Sequence, residues 1–326
     1  MIKVVVFISG GILPVLALAT IPTMFHAFMQ RDVEFAISLV VLALVTISIS
    51  YLIRKFVLPT RQLTTIQGFG AVGLSWIFMS LFGSIPYILS GIDLSYTNIF
   101  FETVSGLTTT GSSILTDIEA VDKSLLIWRS TTQWLGGMGV IVLTITVLPL
   151  LGSGGINLFK AESPGPSADR LTPKFKDTAK LLWIVYISLT ILETILLYYS
   201  GLNIFDAFNH SLTTLSTGGF STFNTSVSEF SSLSKFIINI FMYLAGTSFI
   251  LLLKTIRSRS FSEFFKSTEF LFYSFMVIST AIIFLFKTLT LNENIFESIN
   301  NAFFTSLTLI TTTGFTNLNY ENWNIN

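Results

Sequence analysis

The feature that most constrains this chain is a series of apolar stretches, each about twenty residues long, along its whole length. A helix needs about 20 apolar residues to cross the hydrocarbon core of a bilayer. Only 11% of the residues are charged, against roughly 25% in soluble domains, and the mean hydropathy is +0.73. The pattern predicts an all-α polytopic membrane protein. Seven spans can be drawn, at residues 2–24, 33–53, 65–90, 125–151, 178–200, 233–253 and 269–289.

The composition excludes several function classes. The net charge is zero, which does not favour nucleic-acid binding. The chain has no Cys and only two His, so thiol chemistry is excluded and a transition-metal site is not expected. An enzyme would need clustered His, Asp or Glu at a bilayer face, and the sequence shows no such cluster. Glu193 is the one clear intramembrane acid, and it is either a functional carboxylate or a buried structural hydrogen-bonding group.

Basic residues indicate which side each loop occupies. If the N-terminus is inside, residues 1–3, 54–64, 152–180 and 254–268 are cytoplasmic, and they hold thirteen of the eighteen Lys and Arg. Acidic residues collect on the other side, either as an acidic vestibule that concentrates cations or as ordinary polar loops. An Ala-x-Ala sequence at 17–19 resembles a signal-peptidase site, but the apolar run continues past it, which favours an uncleaved first helix with a cytoplasmic N-terminus.

Three short polar segments interrupt the apolar pattern at equivalent places. We name them strip 1 (TTTG, residues 108–111), strip 2 (STGG, 216–219) and strip 3 (TTTG, 311–314). A phenylalanine stands eleven residues before each final glycine, at Phe100, Phe208 and Phe303. Each strip follows a short apolar stretch, at 98–107, 206–215 or 301–310, that is too short to cross a bilayer. The chain therefore repeats a unit of span, re-entrant half-helix, strip and span.

The strips have the properties of a cation filter. Non-helical backbone at membrane depth persists only where it is buried in protein or lines water, and rings of carbonyls can replace the hydration shell of a cation. Glycine permits the positive φ that aims carbonyls alike, and threonine hydroxyls can add ligands or pin the strip to its neighbours. The C-terminus of each half-helix adds a partial negative charge. The predicted ion-binding residues are Thr108, Thr109, Thr110, Gly111, Ser216, Thr217, Gly218, Gly219, Thr311, Thr312, Thr313 and Gly314.

Arg129 and Glu193 are the secondary candidate site residues, and other polar positions belong to the half-helices or to the spans. Arg129 either shapes the field at the pore mouth or packs at the headgroup level. The position nine residues before the strip glycine carries Glu102, His210 or Thr305, so it accepts different polar groups, and His210 is expected to face the outer mouth or a neighbouring helix. The sequence Gly-Thr-Ser at 246–248 interrupts the sixth span and is able to bend it.

Several of these sequences resemble the Trk/Ktr/HKT superfamily of potassium transporters, most closely its TrkH-like bacterial branch. The segments that carry the resemblance are FFETVSGLTTTG (100–111), WRSTTQWLGGMGVIVL (128–143), ESPGP (162–166), RLTPK (170–174), STGGFS (216–221) and TTTGFT (311–316). The resemblance implies a two-helix hairpin followed by four pore repeats around one pore. It also implies potassium as the bound ion with no organic cofactor, a homodimer, a cytosolic nucleotide-binding regulatory subunit, and a location in the bacterial inner membrane.

These features predict a division of the chain. Residues 1–61 form the hairpin and a linker, 62–151 repeat 1, 152–253 a cytosolic loop and repeat 2, and 254–326 part of repeat 3. The second span of repeat 3 and all of repeat 4 are absent from these residues, so we expect that they alone do not support potassium uptake. Two alternatives to potassium uptake stay open: a non-conducting fragment of such a transporter, and a transporter permeable to both sodium and potassium.

Overall fold

The computed structural model of the chain describes residues 2–57, 65–151, 175–291 and 294–318. The described residues form helices and connecting turns, without strands. The helices are α1 (Ile2–Met29), α2 (Val33–Phe56), α3 (Thr65–Gly83), α4 (Ile85–Leu89), α5 (Tyr96–Leu107), α6 (Lys123–Leu151), α7 (Phe175–Tyr199), α8 (Ile204–Leu215), α9 (Ser232–Ala245), α10 (Phe249–Ser258), α11 (Ser262–Lys266), α12 (Thr268–Leu291) and α13 (Ile295–Ile310). Among the described residues, five helices are long and apolar enough to cross a membrane, or six with one bent pair counted as a span. This confirms the all-α membrane fold.

The chain divides into two compact units. Unit 1 holds the described residues of Met1–Thr108, Ser112–Ile114 and Ala120–Lys180. Unit 2 holds the described residues of Thr109–Gly111, Leu115–Glu119 and Leu181–Asn326. The predicted domain boundaries at 61 and 152, and the motifs at 162–166 and 170–174, lie outside the described residues. The four predicted domains stay a prediction.

Unit 1 is built on the predicted N-terminal hairpin. Helix α1 packs against α2, α3 and α6, and the side chains of Ile12, Leu16 and Leu39 are buried in their common core. The carboxylate of Asp32 accepts a hydrogen bond from the Phe35 amide at 3.1 Å, which caps the first turn of α2. Ser9 Oγ donates to the Ala71 carbonyl at 3.0 Å and ties α1 to α3.

The third predicted span, 65–90, is not one continuous helix. Helix α3 ends at Gly83 and α4 begins at Ile85, because Pro86 lacks the N–H that a continuing helix requires. Ser84 Oγ donates to the Leu81 carbonyl at 2.7 Å and satisfies an acceptor that the break exposes. Taken together, α3 and α4 are still long and apolar enough to form a single membrane span, Gln67–Leu89.

In unit 2 the sixth predicted span is strongly bent, as its Gly-Thr-Ser sequence suggests. Helices α9 and α10 meet at 96° across residues 246–248. At this break the Thr247 amide donates to the Leu244 carbonyl at 3.1 Å. In a continuous α-helix it would donate to the carbonyl four residues earlier, that of Tyr243. The Tyr243 carbonyl instead accepts the hydroxyls of Thr247, at 2.9 Å, and Tyr273, at 3.2 Å. Tyr273 belongs to α12, so a neighbouring helix stabilises the bend.

Helices α5, α8 and α13 are the predicted half-helices. They end at Leu107, Leu215 and Ile310, as expected. A 12-residue helix such as α5 or α8 is about 18 Å long, well short of a hydrocarbon core of about 30 Å. The expected start of the third half-helix, residue 301, is wrong. Helix α13 begins at Ile295, because the side chain of Asn294 accepts from the Phe296 amide at 3.0 Å and caps it there.

Candidate functional site

The three strips share one backbone shape. The threonine two residues before each strip glycine has a positive φ: 52° at Thr109, 50° at Thr217 and 59° at Thr312. The glycines themselves also have a positive φ: 81° at Gly111, 73° at Gly219 and 82° at Gly314. A β-branched residue rarely adopts this conformation, and one held there stores backbone strain of the kind that accumulates at functional sites. The same unusual φ pattern in all three strips indicates that they have the same function.

The first residue of each strip closes the half-helix before it. Its side-chain hydroxyl donates to the carbonyl four residues earlier: Thr108 to Val104 at 2.8 Å, Ser216 to Leu212 at 2.9 Å and Thr311 to Leu307 at 2.7 Å. Each of these carbonyls, in the last turn of its helix, also accepts the backbone amide of the same strip residue, at 2.8, 3.4 and 2.9 Å. Of the two expected roles for the hydroxyls, the structure shows the pinning role at this first position.

Backbone amides in the strips also point back to the half-helices. The amides of Gly218 and Gly219 donate to the Thr213 carbonyl at 2.9 and 3.3 Å. The Gly314 amide donates to the Thr308 carbonyl at 3.3 Å. In a planar trans peptide the C=O points opposite to the N–H of the next residue. The carbonyls of residues 217, 218 and 313 therefore point away from their half-helices.

Unit 2 collects strip 2, strip 3 and residues Thr109–Gly111 of strip 1. Strips 2 and 3 touch, because a Cβ built on Gly219 would overlap the carbonyl oxygen of Thr313. The segments after these two strips are also joined, since the Val227 amide donates to the Thr316 carbonyl at 3.1 Å. Each strip is recognisable in the sequence by itself, but the contact between Gly219 and Thr313, 94 positions apart, is a tertiary feature.

An asparagine joins the loops that follow strips 1 and 2. In unit 2, Asn224 donates from its side chain to Asp117 at 2.9 Å and from its amide to Glu119 at 3.1 Å. Its Oδ1 accepts from the Ile118 amide at 2.7 Å. Two acidic residues, Asp117 and Glu119, therefore hold a loop in place.

Arg129 is buried inside unit 1. Its side chain is 2% exposed, and its Nε donates to Oε1 of Glu102 at 2.7 Å. Glu102, on half-helix α5, has no exposed surface. Glu102 is not among the predicted site residues. It occupies an equivalent polar position of the repeat, however, where the second repeat carries another ionisable group, His210.

The other candidates lie close to strip 2. Glu193 is fully buried on α7, near the side chain of Thr214, two residues before strip 2. His210 is fully buried in α8, where its ring contacts Phe223, Phe230 and Phe315. In the part of the chain that the structure describes, no group of three or more His, Cys, Asp or Glu side chains is arranged to hold a metal ion.

Comparison with known proteins identifies relatives over the whole chain. The TrkH family, described as cation transport protein, matches residues 35–325. The Trk system potassium uptake protein TrkH of Halomonas elongata is 33% identical over 331 aligned residues, which cover 99% of this chain and 68% of that protein. TrkH of Salmonella typhimurium is 37% identical over 270 residues, covering 80% of this chain and 55% of its own length.

A solved structure has the same fold. The crystal structure of the potassium transporter TrkH from Vibrio parahaemolyticus superposes with a TM-score of 0.85 at 28% identity. The match covers 99% of this chain and 67% of that protein. Across these three relatives, the matched part is between 55% and 68% of their length.

Proposed function

The chain belongs to the TrkH family of cation transport proteins, and we propose that its three strips form sectors of a filter through which potassium enters the cell. The observation that carries the proposal is the shared backbone shape, with positive φ at a threonine and at a glycine in every strip. The sequence resemblance to the family extends over the same segments. Potassium is the proposed ion because relatives at 33% and 37% identity are potassium uptake proteins.

The geometry favours a cation over an anion for three reasons. The carbonyls of residues 217, 218 and 313 point away from the half-helices, which is the orientation that a carbonyl-lined path requires. The half-helices present their C-termini, which carry a partial negative charge, to the strips. The strips contain no ionisable side chain, so selectivity has to come from backbone oxygens and hydroxyls at fixed positions.

The experiment is growth of a potassium-uptake-deficient bacterium on limiting potassium. The chain is expressed as it stands and also completed with the C-terminal remainder of the Halomonas elongata relative. We expect the completed protein to restore growth and to take up potassium in preference to sodium. A completed protein that reaches the membrane but restores no growth contradicts the proposal. Equal uptake of sodium and potassium would instead favour a non-selective cation transporter.

The proposed location is the bacterial inner membrane with a cytoplasmic N-terminus. The distribution of Lys and Arg supports this orientation. The chain has no Cys, so single cysteines at the exposed positions Thr116 and Arg257 can be labelled with an impermeant maleimide in intact spheroplasts. We expect labelling at 116 and protection at 257, and the reverse pattern would invert the topology.

Family membership also supports two partners. The first is a second copy of the same protein, and the second is a cytosolic nucleotide-binding regulatory subunit. The mass of the complex in mild detergent, with and without that subunit, tests both. A monomeric mass would contradict the first partner, and a mass that the added subunit does not change would contradict the second.

A further inference from the structure

Each half-helix carries one buried polar side chain nine residues before its strip glycine. These residues are Glu102 on α5, His210 on α8 and Thr305 on α13, and none is more than 2% exposed. They lie outside the strips, in the interior of the half-helices. Each contacts the outgoing segment, which we define as the second and third residues after the strip glycine: 113–114, 221–222 and 316–317.

In repeat 1 the contact is a buried carboxylate with three donors. Oε2 of Glu102 accepts from the Ile114 amide at 2.9 Å, and Oε1 accepts from Ser113 Oγ at 3.0 Å. Oε1 also accepts from Arg129 Nε at 2.7 Å. Arg129 belongs to α6. The Glu102 carboxylate therefore links this neighbouring helix to the outgoing segment.

In repeat 2 the same position carries an imidazole. His210 Nδ1 lies 2.8 Å from the Asp206 carbonyl, and because a carbonyl only accepts, Nδ1 carries a proton. Nε2 lies 3.0 Å from Oγ of Ser221, in the outgoing segment. One turn earlier, the Asp206 carboxylate accepts from the hydroxyl of Thr222 at 2.6 Å. The outgoing segment of repeat 2 is thus attached to α8 at two levels.

In repeat 3 the contact is made by neutral groups. Thr305 Oγ1 donates to the Asn301 carbonyl at 3.0 Å and also lies 3.4 Å from Oδ1 of Asn317, the third residue after the strip glycine. The side-chain amide of Asn317 donates to Oδ1 of Asn301 at 3.1 Å, one turn earlier on α13. The chemistry differs from repeats 1 and 2, but the same positions of the repeat are joined.

We propose that Glu102, His210 and Thr305 are positioning residues of the filter, and that Glu102, oriented by Arg129, is the strongest of the three. At its start, the strip is attached to the half-helix by the hydroxyl of its first residue. At its end, the outgoing segment is attached to the same half-helix by the positioning residue. With both ends attached, the carbonyls between them have fixed positions. A carboxylate with three donors restrains its segment more firmly than a single hydroxyl does.

The test separates the hydrogen bond to the outgoing segment from the buried charge. The first double variant, E102Q/R129M, removes both charges but keeps a side chain of the same length with one acceptor oxygen at position 102. The second, E102L/R129M, removes both charges and the acceptor. Replacing both members of a buried ion pair avoids leaving an unpaired charge, so both variants are expected to fold. Thr103→Val is the matched control, because the Thr103 hydroxyl donates within its own helix, to the Ile99 carbonyl at 2.9 Å.

Two readouts are used, and the first rests on the proposed function. In the completed transporter, the uptake ratio of potassium to sodium should stay within about twofold of wild type for E102Q/R129M and T103V. It should fall at least about fivefold for E102L/R129M. The second readout is amide exchange of the peptide 112–117 in the purified chain, which should be at least about tenfold faster in E102L/R129M than in E102Q/R129M.

The outcomes distinguish this inference from the proposed function. If wild type transports potassium and both double variants keep its ratio and its exchange rate, Glu102 does not position the strip. If both double variants lose selectivity equally, the ion pair itself matters and the inference is also overturned. If wild type transports nothing, the proposed function fails, and the exchange rates alone decide whether Glu102 holds the outgoing segment.

Discussion

Gly219 and Gly314 occupy the same position in strips 2 and 3, and their φ values are 73° and 82°. Their surroundings differ completely. A Cβ on Gly219 would overlap the carbonyl oxygen of Thr313, whereas a Cβ on Gly314 would meet nothing within 4 Å. One glycine is required by its backbone conformation and by the neighbouring strip, and the other by its backbone conformation alone. Equivalent positions of a repeat can therefore carry glycine for different structural reasons.

The largest effect is expected for Gly219→Ala. The new Cβ meets a backbone carbonyl, which cannot rotate away as a side chain would, so strips 2 and 3 have to separate. Overpacking of roughly 1–3 kcal/mol adds to a positive-φ penalty of roughly 1–2 kcal/mol. Potassium uptake by the completed transporter should fall more than about tenfold, since about 1.4 kcal/mol corresponds to a factor of ten. Uptake and selectivity unchanged from wild type would show that the two strips do not form one filter.

An intermediate effect is expected for Gly246→Ala, behind strip 3. A Cβ there would lie 2.5 Å from the hydroxyl oxygen of Tyr273 and 2.7 Å from Cγ2 of Thr311. Both are side-chain atoms that can move, so the cost should be about 1–3 kcal/mol. Tyr273→Phe removes the closer contact but also the hydrogen bond to the Tyr243 carbonyl, so it serves as the reference background. Gly246→Ala should lower the thermal stability in detergent less in the Tyr273→Phe background than in wild type. An equal loss in both backgrounds would mean that Thr311 or the bend itself sets the cost.

A smaller effect is expected for Gly314→Ala. Space is available for the methyl group, so only the positive φ opposes it, at roughly 1–2 kcal/mol. Gly91 is a matched control, because its φ is 71° and a Cβ on it would also meet nothing within 4 Å. Both variants should lose similar thermal stability, but only Gly314→Ala should lower the uptake ratio of potassium to sodium. A loss of selectivity as large as that of Gly219→Ala would remove the contrast between the two glycines.

The smallest effect on stability is expected for Thr312→Gly. Glycine adopts φ of 59° without strain, and the relief is offset by roughly 0.5–1 kcal/mol of additional backbone entropy in the unfolded chain. The melting temperature of the purified chain should therefore stay close to wild type. Thr217→Gly, at the equivalent position of strip 2, provides the comparison. A marked destabilisation by either change would show that the threonine side chain holds the strip in place.

Local sequence identified the strips and the ends of the half-helices. The C-terminal ends at residues 107, 215 and 310 agree with the prediction, because the last apolar positions and the Thr/Gly run that stops each helix are adjacent in the chain. The bend at 246–248 was expected on the same ground. The start of α13 was misjudged by six residues, since a polar stretch at 297–301 concealed a helix that Asn294 caps.

The pairings between distant residues depended on the tertiary structure. The sequence around Arg129 does not indicate that its partner is Glu102, 27 residues earlier. The periodicity of a helix shows which residues share a face, but not which other helix that face will contact. Nor does the sequence of strip 2 reveal that Gly219 rests against Thr313. The sequence by itself determined the membrane class, the repeat and the φ-tolerant glycines, since apolar length and backbone freedom are local properties. Which carbonyl a glycine meets and which charge an arginine neutralises were decided only when packing brought distant helices to the same place.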